Sequence, residues 1–253
     1  MDVPAKGCTA GAFPAQAPPN EQIVMARLPP AASKSSKGRT APRSASLHRR
    51  DSATKADAPP RTLKALNTLI AASKPLVPGA TGAVLGEGPT GAAVAFVGEQ
   101  PGDQEDRQGR PFVGPAGQLL DRAMAEAGLD RARVYVTNAV KHFKFEQRGK
   151  RRIHQRPTAG EVKHYRWWLD QELKLVRPKI VVALGATAVL ALARKSLPIG
   201  RFRGRADLDG RPGFITVHPS YLLRLPDRDA KEKAYGDFVR DLRSICKLAG
   251  TSP

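Results

Sequence analysis

Apolar positions first recur with a helical spacing at Leu63, Leu66, Leu69 and Ile70, which suits a short helix leading into a folded region. The next block has a different character. Val94, Phe96 and Val97 lie in an unbroken apolar run that stops at Gly98, the pattern of a strand buried on both faces. Ala116–Ala127 returns to a helical period and is stopped by Gly128, and Arg133–Val140 reads as a second strand carrying Asn138 near its end. A basic loop from Lys141 to Thr158 separates it from a long helix over Ala159–Val176, closed by Pro178. Ile180–Leu184 is a third strand that runs through Gly185 into a helix over Ala186–Lys195. Phe214–Val217 is the last strand and Ala230–Leu248 the terminal helix. This alternation predicts an α/β fold with three layers, α/β/α, around a central, mainly parallel four-stranded sheet.

Residues 1–60 show neither period. They are rich in Pro, Ala, Ser, Lys and Arg, which predicts a basic disordered N-terminal tail ahead of a domain over residues 61–250. The formal net charge is +19 and the pI near 10.5, a self-repelling excess usually kept where polyanions are bound, so nucleic acid leads as partner. A membrane partner is not expected. The longest apolar stretch, Ile180 to Ala193, is interrupted by Gly185 and Thr187 and is shorter than the roughly 20 residues of a span. Cys8 and Cys246 lie far apart and offer neither a disulfide framework nor a cysteine metal site. The expectation is a monomeric cytoplasmic protein, associated with the nucleoid when bound to DNA.

The chemistry-bearing residues gather after strands. Beyond Gly98 come Glu99, Gln100, Asp103, Glu105 and Asp106, in a loop set by Pro101, Gly102, Gly109, Pro111, Gly114 and Pro115. Open α/β sheets bind ligands beyond the carboxyl ends of their strands, so this acidic loop in a basic protein is a candidate site. It also carries an aromatic, Phe112, which a merely solvated loop does not need. Taken singly, Asn138 would be a strand-end turn residue, His218 a capping imidazole and Phe112 part of a core. Lys141, Lys144, Lys150, Arg151, Arg152 and Arg156 would be a solvated face, or a phosphate-binding one if a DNA groove lies nearby. A phosphate loop is disfavoured, because GEQPG lacks the Lys-Ser/Thr that such a loop requires.

Four segments, GEQPGDQED from Gly98, TNAVKHFKF from Thr137, KRRIHQ from Lys150 and HPSYLLR from His218, together resemble the uracil-DNA glycosylase superfamily. The resemblance runs over about residues 62 to 247 and is nearest to UdgX-type members related to family 4. It implies that Glu99, Gln100 and Asp103 belong to the uracil pocket, that the base stacks on Phe112, and that the Asn138 amide reads its Watson–Crick edge. His218 would donate to uracil O2. Lys150, Arg151 and Arg152 would meet phosphate, and Ser220, Tyr221, Leu222, Leu223 and Arg224 would form the loop that wedges the duplex. The implied partner is uracil-containing DNA, single- or double-stranded.

The resemblance also implies that His154 attacks C1′ of the sugar and leaves the protein bound to DNA. A turnover glycosylase that frees uracil and abasic DNA, and a non-catalytic DNA-binding module, remain alternatives. One departure concerns metal. Families of this kind carry an iron–sulfur cluster, whose cysteines would fall near Ala71 and Lys74 and at Tyr165, with His142 at the position of another. None of these is a cysteine, so no metal and no cofactor is expected.

Overall fold

The computed structural model describes residues 59–75 and 78–251. The predicted tail over 1–60 lies almost wholly outside the described residues. Helix α1 (Leu63–Ala71), capped by the Thr62 hydroxyl, buries Leu66 and Ile70. Strand β1 (Val94–Gly98) is buried at every position, as its unbroken apolar run requires. Within the turn-rich loop the chain makes a short helix, α2 (Asp103–Gln108), and then α3 (Pro115–Ala127), with Pro at its first turn and Gly128 at φ 81 closing it.

Strand β2 (Tyr135–Asn138) follows. The basic loop expected next contains an antiparallel hairpin, β3 (Phe145–Arg148) and β4 (Arg151–His154), turned at Gly149 and Lys150. Helix α4 (Ala159–Val176) starts with a Thr158/Glu161 capping box, and β5 (Ile180–Leu184) leads into α5 (Ala186–Ala193). A short α6 (Ile199–Phe202), β6 (Gly204–Asp207), β7 (Pro212–Thr216), α7 (Pro219–Arg224) and α8 (Arg228–Ala249) complete the chain.

The sheet order is β2-β1-β5-β7-β6. The four strands read from the apolar runs are its parallel members, and β6 adds a fifth, antiparallel to β7 at the edge. Its sequence, Gly-Arg-Ala-Asp, has no apolar run, because an edge strand with an exposed face needs none. Along β1, Val94 and Phe96 join a core with α3 and α8, whereas Ala95 and Val97 join a second core with α4 and α5. The period of two therefore supplies both faces, and three layers result.

The chain steps from β1 to β2 on one side and then crosses to β5 on the other. This reversal opens a crevice at the carboxyl edge between β1 and β5, where Gly98, Asn138, Leu184 and Thr216 all end.

Under β2 lies a charge pair. Lys141, expected on the solvated basic face, is wholly buried and its Nζ donates to Glu172 at 2.5 Å and to Thr137 Oγ1 at 2.6 Å. Glu172 also accepts from the Tyr135 and Thr137 hydroxyls. Burial of Tyr135, and then the Glu172 carboxylate beside it, push its hydroxyl pKa up, so it remains a donor. Removing one partner leaves a buried, uncompensated charge. Lys141→Met is expected to lower the unfolding free energy by about 3–5 kcal/mol, measured by urea titration, with Lys141→Met/Glu172→Leu recovering much of the loss. A single variant as stable as wild type would show that the pair is dispensable.

Candidate active site

The crevice holds a cavity of about 1240 Å³, whose wall includes Glu99, Gln100, Asp103, Phe112, Asn138, His154 and His218. Five segments that are separate in sequence thus meet in one place. Gly98 makes the meeting possible, since a Cβ there would overlap Asn138 Oδ1 and lie 2.7 Å from Phe112 Cζ. Phe112 holds a left-handed backbone conformation, φ 56, and its carbonyl packs where Gly117 has no side chain. Non-glycine residues rarely adopt that region, and such strain persists only where surroundings impose it. Here Glu105 imposes it by accepting from Gly102 N at 3.0 Å and Gly114 N at 2.7 Å, which ties the two ends of the loop together.

His218 follows β7 and caps α7. Its Nδ1 accepts from Ser220 N at 3.2 Å and lies 2.9 Å from Ser220 Oγ, which itself accepts from Arg224. With Nδ1 occupied as an acceptor, the neutral ring carries its hydrogen on Nε2. Burial pushes the His218 pKa down to about 4, with Glu99 opposing and Arg224 adding to the fall. Its ring lies 6.2 Å from that of Phe112, tilted by 27°. The result is an uncharged N–H donor beside an aromatic face.

Glu99 divides its two oxygens. Oε2 accepts from Thr187 Oγ1 at 2.5 Å, and Oε1 stands 3.3 Å from His154 Nε2. Burial works to raise the Glu99 pKa, but the hydrogen bonds from His154 and Thr187 and the nearby imidazoles outweigh it and hold the carboxyl below its ordinary value. An ionised carboxylate thus faces an imidazole that is half exposed to the cavity.

His154 reaches this place because the hairpin is pinned to α2. Arg152 bonds Asp103 at 2.5 Å and Asp106 at 2.6 Å, and its guanidinium lies over the rings of Phe143 and Phe145. Asp106 is buried and is held in turn by Thr81. Gln100 Nε2 donates to the carbonyls of Lys144 and Gln155, and its Oε1 accepts from Lys144 N, so one amide grips both ends of the hairpin at its base.

These bonds correct several expectations. Arg152 does not point to phosphate, because two carboxylates already neutralise it. The Gln100 amide is engaged with the hairpin, and the Asp103 carboxylate is shared between Arg152 of the hairpin and Arg107 of α2. Leu222 is fully buried in the core and cannot wedge a duplex, whereas Tyr221 and Leu223 are exposed on the cavity rim. Lys150 and Arg151 are exposed at the hairpin tip, and Ser220 serves His218.

The chain was compared with known proteins. The family model of the uracil DNA glycosylase superfamily matches residues 85–243. The chain belongs to that superfamily. It is 39% identical over 173 residues to the type-4 uracil-DNA glycosylase of Thermotoga maritima, covering 67% of this chain and 86% of that protein. The type-4 uracil-DNA glycosylase of Archaeoglobus fulgidus is 41% identical over 179 residues, 67% of this chain and 83% of that protein. That of Pyrobaculum aerophilum is 35% identical over 169 residues, 63% and 80% of the two chains.

Two of the positions that the resemblance assigns to a cluster, 142 and 165, form a hydrogen-bonded pair. His142 Nδ1 lies 2.7 Å from Tyr165 Oη, both buried against α4. Burial lowers the His142 pKa, with Asp106 opposing. An iron–sulfur cluster needs several thiolates, and this pair supplies none. Cys246 is buried on α8, bonded to the Ala127 carbonyl, and no group of three metal-ligating side chains occurs among the described residues. The residues present do not fit a cluster.

Thr187 escaped the sequence reading, although the end of the β5 run at Gly185 marks a third strand-to-helix turn at the same edge. It fixes which Glu99 oxygen is left for His154. Because the Glu99 pKa is depressed, its contribution to stability is present above the ordinary value of 4.5 and is lost as pH falls through the folded value. Thr187→Val is expected to raise the Glu99 pKa, read from the carboxyl carbon shift in an NMR titration, and Thr187→Ser to restore it. An unchanged titration in the valine variant would remove the hydroxyl from this role.

Proposed function

We propose that the protein recognises uracil in DNA, breaks its N-glycosidic bond, and retains the sugar on His154. Uracil-DNA glycosylase activity in DNA repair follows from the family and from the type-4 glycosylases that cover most of the domain. The covalent step rests on one observation: His154 Nε2 stands 3.3 Å from Glu99 Oε1 inside the cavity shared by Asn138, Phe112 and His218.

A flipped uracil fits this chemistry group by group. Its face stacks on Phe112, and the Asn138 amide accepts from N3–H while donating to O4. As the C1′–N1 bond breaks, its electron pair leaves with the base. The neutral Nε2–H of His218 donates to O2, where negative charge builds, in a site whose low polarity strengthens the bond. The Glu99 carboxylate stabilises the positive sugar. Nε2 of His154 then forms the bond to C1′, its proton passes to Glu99 Oε1, and the departing uracil anion takes up a proton from solvent.

No step uses a metal, in keeping with the Ala71, Lys74 and Tyr165 side chains at the cluster positions. Lys150 and Arg151 at the hairpin tip, and Arg156 and Arg224 on the cavity wall, are exposed cations for which no carboxylate partner occurs among the described residues, and they are assigned to phosphate. The substrate strand is single- or double-stranded, the protein acts as a monomer in the cytoplasm, and no described helix is long and apolar enough to cross a membrane.

A denaturing gel tests this reading. Wild type incubated with uracil-DNA is expected to give a retarded species that survives denaturation, and His154→Ser to lose it. Free uracil released over many turnovers without that species would establish the turnover glycosylase instead; retardation on a native gel without base loss would leave a DNA-binding module.

A further inference from the structure

The chain reaches Phe112 by turning twice through the left-handed region, at Gly109 with φ 68 and at Phe112 itself with φ 56. Glu105 holds the exit from this segment, through Gly114 N at 2.7 Å. The entry has a separate anchor. Arg110, exposed on the surface, gives two parallel hydrogen bonds to the Glu87 carboxylate, Nε to Oε2 at 3.0 Å and Nη2 to Oε1 at 2.7 Å. Pro111 follows with its φ fixed by its ring, and both it and Phe112 are buried. One stiff residue therefore separates the anchored guanidinium from the aromatic wall of the cavity.

Glu87 is itself fixed to the sheet. Its N–H donates to the Val136 carbonyl at 2.9 Å and its carbonyl accepts from Val136 N at 2.8 Å, on the edge of β2 that faces away from β1. The glycines on either side allow this approach, because a Cβ at Gly86 would overlap the Tyr135 hydroxyl and one at Gly88 the Val134 carbonyl. The other cation near Glu87, Arg131, lies 3.2 Å from Asp121. The hydrogen bonds from Arg110 hold the Glu87 carboxyl below its ordinary value, so the fork is charged at neutral pH. Such a bidentate pair fixes orientation as well as distance. An exposed pair adds little to global stability, so its value lies in what it orients. What it adjoins is a strained residue, whose conformation persists only where the surroundings impose it.

We infer that Arg110, held by Glu87, is a positioning residue for Phe112: it fixes the entry to the left-handed residue and so keeps the ring in the attitude that receives the face of uracil. This rests on the reading that the base stacks on Phe112. Arg110 touches no substrate atom; it acts through Pro111.

The test follows base loss from a single-stranded uracil oligonucleotide under single-turnover conditions, giving the maximal rate and the protein concentration at half that rate. Arg110→Ala and Glu87→Gln are each expected to raise the half-rate concentration about tenfold and to leave the maximal rate close to wild type, since binding falls with the fraction of molecules whose ring is seated. The double variant is no worse than either single one. Arg110→Lys, which keeps the charge but loses the fork, behaves like the alanine variant. Adding Arg110→Ala to Phe112→Ala produces no further loss, and the urea midpoints of the Glu87 and Arg110 variants stay near wild type. Wild-type kinetics in both single variants, a urea midpoint that falls in step with the kinetics, or a loss additive with Phe112→Ala overturns the positioning role. So does tighter binding by Glu87→Gln alongside weaker binding by Arg110→Ala, which makes Arg110 a phosphate contact. The Glu87 and Arg110 variants decide the matter even where Phe112→Ala does not fold. A folded Phe112→Ala protein with wild-type kinetics overturns the stacking reading, and the positioning role with it.

Discussion

Gly98 ends β1 between the Asn138 amide and the Phe112 ring, so close to both that no side chain fits there. That closeness fixes the geometry of the crevice. Asn138 is the last residue of the neighbouring strand, and its backbone successors, Ala139 and Val140, donate to the carbonyls of Gly98 and Glu99. Phe112 returns at the end of the loop that starts with Glu99, held in a left-handed conformation by the Glu105 tie and the space at Gly117. A flat ring and a side-chain amide can stand next to each other only because the strand between them ends without a Cβ.

Charge is distributed around this point with equal economy. The protein is strongly basic, yet several cations of the folded domain are neutralised: Lys141 by Glu172, Lys144 by Glu161, and Arg152 by Asp103 and Asp106. Glu99 is the carboxylate kept back, oriented by Thr187 and facing His154. Positive charge without such partners is thereby left on the rim, at the hairpin tip and on α6 and α7, where phosphate would lie. His218 adds no charge, because burial keeps its ring neutral. The pocket thus sets the Glu99 carboxylate and the neutral His218 donor inside a cationic outer edge.

Much of this was legible in the sequence. The four apolar runs located the parallel strands, and the residues that follow them, Glu99, Asn138 and His218, do converge. What the sequence hid follows from how pairs form. Periodicity marks burial of apolar side chains, so it passes over β6 and the hairpin, whose strands are held by backbone bonds and by Arg152 and Gln100. A one-dimensional reading counts Lys141 and Arg152 as surface charges, since their carboxylates lie 31 and about 46–49 positions away. Leu222 and Leu223 look alike in a row of letters; the helical turn of α7 sends one into the core and the other to the rim. Thr187 stood out only as a break in an apolar stretch, because a small polar residue in an apolar helix does not reveal the carboxylate it binds.

The central claim is that the contact at Gly98 forms a seat for the uracil base. Calorimetric titration of free uracil into wild type and Gly98→Ala tests it directly, with circular dichroism to show that the variant keeps its fold. The account predicts binding by wild type and its loss in the alanine variant, because the added methyl group displaces Asn138 or Phe112. A folded Gly98→Ala protein that binds uracil as tightly as wild type would contradict it.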